Sequence, residues 1–209
     1  MLRPFVRLLT LVCFSCCLLA ATPAQDISQF DLSTDEGVNA AREAIAGKTL
    51  DNRSKRCIWR DPSLPGIVVV GGFAFDYGCR FQGVFAGARY VDADDKSMSR
   101  TALETMGWKT ANQTERQSLA RAWVAKGLLG FLRVLSVKND DFANHAFQPP
   151  QTDTKADGET TVTLWMRMPA GRARGTAYQL REYRFTKDGD FAGSKTLDNF
   201  TAPKTNSDP

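Results

Sequence analysis

Three sets of residues in this chain have types and spacings that could do chemistry. His145 is the only histidine in the chain, and Asp140 and Asp141 precede it closely in the run NDDFANHAF. A histidine oriented by a carboxylate can take the proton of a serine hydroxyl and so begin acyl transfer. No Gly-x-Ser-x-Gly elbow accompanies it, and a lone loop histidine is more often an ordinary exposed residue. Hydrolysis through His145 is thus an alternative, not the leading expectation.

The second set is Arg167, Arg172, Arg174, Arg181 and Arg184, with Trp165, Tyr178 and Tyr183 interspersed. Guanidinium forks hold carboxylates and phosphates bidentately, and arginine and aromatic side chains are enriched in protein interfaces. Trp165 and the five arginines are therefore candidate partner-binding residues. A solvated sheet face whose charges discourage edge pairing is the plainer alternative.

The third set is cysteine. Cys13, Cys16 and Cys17 lie in an apolar run that follows Arg3 and Arg7 and precedes small residues ending at Ala24. That is the layout of a secretory signal peptide over residues 1–24, which predicts export to the periplasm or the extracellular space. Export leaves Cys57 and Cys79, which in an oxidising compartment are expected to form a disulfide. A redox pair would normally sit as Cys-x-x-Cys, and these two do not.

Other chemistries lack their parts. One histidine and two oxidised cysteines cannot make a usual zinc set. Asp92-Ala93-Asp94-Asp95-Lys96 resembles the opening of a calcium loop, but Ser97 stands where glycine is needed and Leu103 where glutamate is. Gly71-Gly72 lacks the lysine of a phosphate-cradling loop, so no cofactor is expected. Removing Arg3 and Arg7 with the signal lowers the formal charge from +4 to +2, which undercuts a nucleic-acid partner. No apolar segment beyond the signal is long enough for a membrane span. Asn52, Asn112 and Asn199 each open a glycosylation acceptor triplet, a pattern short enough to arise by chance.

The elements that must position these residues centre on residues 57–91. Ile67 to Val70 is a β-branched run, and Gly71-Gly72 predicts a bulge within it. Asp76-Tyr77-Gly78 reads as a turn and Arg80–Val91 as one return strand. Ser33 to Glu36 fits a capping box before an amphipathic helix closed by Gly47. Ser97 or Ser99 caps a short helix ending at Gly107. Asn112 and Glu115 cap a long helix, read as continuous to Val134 or Ser136 despite Gly127 and Gly130. Residues 139–159 read as a polar loop.

The last third reads as a meander. Opposing Leu164 to Leu180 and Met166 to Tyr178 pairs apolar with apolar, and a bulge near Arg181-Glu182 reconciles the parity of Tyr183 and Phe185. Asp188-Gly189 marks a hairpin, and a disordered tail is expected over 202–209. The prediction is a single α+β domain over residues 25–201. One antiparallel sheet of five to six strands carries about three helices on one face.

With no catalytic set in view, the leading functional expectation is an exported, non-catalytic binding protein. Its partner would be another envelope or secreted protein, for instance one it inhibits or a toxin it neutralises as an immunity protein. The other alternative is a small-molecule or lipid carrier with a pocket between sheet and helices.

Overall fold

The computed structural model describes residues 27–75, 78–168 and 176–202. Its helices are α1 (Asp35–Ala46), α2 (Met98–Thr105) and α3 (Gln113–Ala122). Between α1 and α2 lie β1 (Ile58–Trp59), β2 (Ile67–Ala74), β3 (Gly78–Ala86) and β4 (Arg89–Asp92). After α3 come β5 (Arg133–Leu135), β6 (Gln151–Thr154), β7 (Thr160–Met168), β8 (Thr176–Phe185) and β9 (Phe191–Ala202). The expected signal peptide, Asp76-Tyr77, Arg172, Arg174 and residues 203–209 lie outside the described residues.

The α+β class holds, but the single sheet does not. There are two antiparallel sheets: β1-β2-β3-β4, and a five-stranded one in which β5 and β6 share one edge of β7, followed by β8 and β9. Two sheets form because the strands are apolar on both faces, so each needs a cover on either side. Val69, Val84 and Val91 of the first sheet share one core with Leu103 of α2, Trp123 and Val124 beyond α3, and Leu164 and Met166 of the second sheet. Val70 and Phe85 point the other way, onto Val38 and Ala41 of α1. The helices therefore do not all lie on one face.

Local differences have local causes. Thr34, not Ser33, caps α1 and accepts from the Gly37 amide at 3.1 Å. Gly47 closes that helix in the left-handed region, as its position predicts. The Arg80–Val91 strand is really a hairpin, because Gly87 at φ +56° turns the chain so that Ala86 pairs with Arg89. The β2–β3 register does shift between Val70 and Gly71, but the extra residue is Gln82 of β3, so the bulge lies on the strand opposite the glycine pair. The Asn112–Glu115 capping box is present.

The helix after it stops well short of Val134. Residues Trp123–Leu128 widen into a π-turn in which the Leu129 amide donates to the Val124 carbonyl at 3.0 Å. Gly127 lies so close under the Trp123 ring that a Cβ would fall 2.2 Å from it, so the glycine accommodates packing instead of extending the helix.

In the second sheet the register is one residue away from the apolar-opposite-apolar pairing. Leu164 opposes Arg181, Trp165 opposes Leu180, and Arg167 opposes Tyr178. Alternation along β7 puts Leu164 and Met166 on one face and Trp165 on the other, and the slip groups Tyr183 and Phe185 with the first face and Tyr178 and Leu180 with the second. The change of parity between Leu180 and Tyr183 is therefore two-sided burial, with an unbroken β7–β8 ladder. The irregularity near Arg181 lies in the pairing to β9, where Leu197 is the extra residue. β9 continues through Ala202, which is buried. The 139–159 segment holds a 3₁₀ turn at Asp140–Phe142 as well as β6.

Candidate functional site

The Cys57–Cys79 disulfide is formed, with an S–S distance of 2.05 Å. It ties the segment before β1 to β3, directly beside the β2–β3 turn.

The outer face of the second sheet carries an aromatic group that sequence reading missed. Phe142 is fully buried at its centre, with ring centroids 5.1 Å from Trp165 and from Tyr178 and 4.7 Å from Phe200. Phe200 stacks between Tyr178 and the His145 ring, the latter at 4.1 Å. His145 Nε2 lies 2.8 Å from Asp198 Oδ2, so its carboxylate partner comes from β9 and not from the adjacent aspartates. Asp141 instead accepts a hydrogen bond from the Tyr178 hydroxyl. Burial first, and that hydrogen bond second, push the Tyr178 pKa up. No hydroxyl or thiol is hydrogen-bonded to His145 among the described residues. The pair has the orienting half of a hydrolytic site, packed as a clasp between the 139–147 loop and β9.

The arginines of the meander do not share one surface. Arg167 and Arg184 project from the same face as Trp165, about six residues and hence roughly 20 Å apart along the ladder. Arg181 projects from the opposite face, where its guanidinium lies 5.7 Å from the Tyr183 ring. Trp165 is buried, and its indole N–H has no hydrogen-bond partner among the described residues.

A cleft of about 580 Å³ opens between the π-turn and the second sheet. Trp59, Leu132, Val134 and Leu164 give it an apolar lining, while Arg121, Lys126 and Arg133 stand around it. Leu164 is the one residue of β7 between the stretch paired with β6 and the stretch paired with β5. Pro149 and Pro150, which cannot donate to a ladder, line the place where the chain enters β6. π-turns occur often at functional sites because the extra residue re-aims side chains. Asp61 pairs with Lys126 at 3.6 Å, and hydrogen bonds from the Ser63 hydroxyl and amide hold its carboxyl below the usual range.

A wider hollow of about 910 Å³ lies between α1 and the first sheet. Two of the charged residues that line it, Arg42 and Asp51, are used internally. The buried Arg42 guanidinium donates to the carbonyls of Gly71 and Ser54 and to Asn39 Oδ1, and Asp51 accepts from Ser54. The acidic stretch after β4 is likewise a turn: Asp92 Oδ1 accepts from the Asp94 amide and Asp95 Oδ1 from the Ser97 amide. Among the described residues no group of three or more His, Cys, Asp or Glu is placed to hold a metal. No described helix is long and apolar enough to cross a membrane.

Comparison with protein-family models, curated proteins and solved structures finds no match to this chain.

Proposed function

We propose that this chain is an exported, non-catalytic binding protein that takes its ligand in the cleft beside the π-turn. The observation that carries this reading is the cleft itself: a volume typical of small-molecule sites, apolar side chains within, and a few polar groups converging on it. Export rests on the signal-like first residues and fits the Cys57–Cys79 disulfide. The test is titration with anilinonaphthalene sulfonate, an apolar fluorescent probe. Saturable one-to-one enhancement that is lost in Ser136→Trp, where the new indole fills the cleft, supports the reading. Enhancement unaffected by Ser136→Trp refutes it.

A second reading, an envelope protein partner that this chain inhibits or neutralises, is favoured by a different observation. Phe75, at the end of β2 beside the disulfide, is 86% exposed. It stands edge-on to Phe73, and the Arg53 guanidinium lies 5.1 Å from each ring. Phenylalanine and arginine are both enriched in the cores of protein interfaces. Capture from an envelope extract should then fall sharply for Phe75→Ser. Equal capture by Phe75→Ser and by the wild type removes this surface from consideration.

A further inference from the structure

We infer that the ligand of the cleft is an amphiphile with an apolar body and a single anionic head, carboxylate or phosphate. This rests on the binding reading above and adds the chemical class. The cleft offers the body Trp59, Leu132 and Val134. Trp59 is 37% exposed, whereas the other three tryptophans, Trp108, Trp123 and Trp165, are buried. Large side chains left open beside a hollow are sites where apolar surface remains to be covered.

The head is specified by charge that has no ion-pair partner among the described residues. Lys126 is matched by Asp61. Arg121 donates from its Nε to a neutral partner, Thr152 Oγ1, at 3.3 Å. Arg133 pairs directly across the strands with Arg167, whose Nη2 donates to the Thr176 hydroxyl at 3.2 Å. None of these three arginines forms an ion pair with a carboxylate among the described residues. Like charges directly opposed across an antiparallel pair destabilise it, and an anion seated between guanidinium groups reverses the sign of that interaction. Guanidinium forks suit the two oxygens of a carboxylate or phosphate. Arg121 and Arg133 both line the cleft; Val134 and Leu164 belong to its inner face, while Arg133 shares the outer face with Arg167, so the body sits within and the head at the rim of β5. Sequence reading found Arg167 but not Arg133, because only the β5–β7 register brings them together.

The experiment uses the oxidised protein and three twelve-carbon probes, dodecanoate, dodecyl phosphate and uncharged dodecanol, read by tryptophan emission with Trp59→Phe as the reporter control. Both anions should bind saturably and dodecanol about tenfold more weakly, the scale of one charge-assisted hydrogen bond. Arg133→Ala with Arg121→Ala should bring the anions down to the dodecanol level. Both arginines are exposed, so the fold is retained, and far-ultraviolet circular dichroism checks this. A preference for one anion over the other, lost on arginine substitution, sustains the inference and names the head group. Dodecanol binding as tightly as dodecanoate overturns the anionic class while leaving the cleft reading intact. Failure of all three probes to bind overturns both.

Discussion

Each sheet is buried on both faces, but the outer cover of the first is a regular helix and that of the second is a loop. Helix α1 lays Val38 and Ala41 on Val70 and Phe85, and Arg42 from the same helix donates to the Gly71 carbonyl, where the β2–β3 register shifts. The second sheet is capped by the 139–147 segment, which has only a 3₁₀ turn of its own. Its place is held by rings: Phe142 at the centre, with Trp165, Tyr178 and Phe200 around it. A helix spreads its burial over a repeating stripe. An irregular cover concentrates it in a few large side chains, so its stability should rest on far fewer positions.

That contrast breaks most easily at Phe142. Phe142→Ala is expected to lower unfolding stability by about 3–5 kcal/mol, measured by denaturant titration. Val38→Ala on α1, which removes a smaller buried side chain, should cost about 2 kcal/mol. Equal losses at the two positions would remove the distinction. The disulfide gives the next largest effect. It spans 22 residues, and the chain-entropy account assigns about 3 kcal/mol to a loop of that order. The Cys57→Ala/Cys79→Ala double variant should lose that much, with the first sheet gaining amide exchange ahead of the second.

The helical cover was legible because its signals are local. Periodic Val38 and Ala41 and the stop at Gly47 all fall within one short stretch, and the cap was misplaced by a single residue, Thr34 for Ser33. The loop cover was not legible because its members, Phe142, Trp165, Tyr178 and Phe200, are scattered in sequence and meet only through strand register. The same reason hid the Arg133–Arg167 pair and the Asp198 partner of His145. The one-residue error in register arose from expecting one buried face. Once both faces are buried, matching apolar to apolar across the strands no longer selects a unique pairing.

Two smaller effects sharpen the comparison. Burial first, then the nearby Asp92 carboxylate, pushes the Tyr90 hydroxyl to about 12. Tyr90 packs with the α1 core. The folded state therefore favours the neutral phenol. That stabilisation is complete below about pH 10 and fades as pH rises towards 12. Tyr90 is partly exposed, so about 1 kcal/mol is expected after solvent screening. Tyr90→Phe should flatten the alkaline limb of the stability profile, and an unchanged limb would remove Tyr90 as its source. At the cap of α3, Asn112→Ala removes the acceptor for the Glu115 amide. It should cost about 1 kcal/mol in thermal unfolding, with no effect on probe binding.

The central claim places binding at the cleft and gives the aromatic group a structural role. An amide and indole NMR titration with dodecanoate separates the two regions in one measurement. The account predicts saturable shifts at the Trp59 indole and the amides of Leu132, Arg133 and Val134, with Phe142, Tyr178 and Phe200 unmoved. Shifts centred on Phe142 and His145, with Trp59 silent, would contradict it.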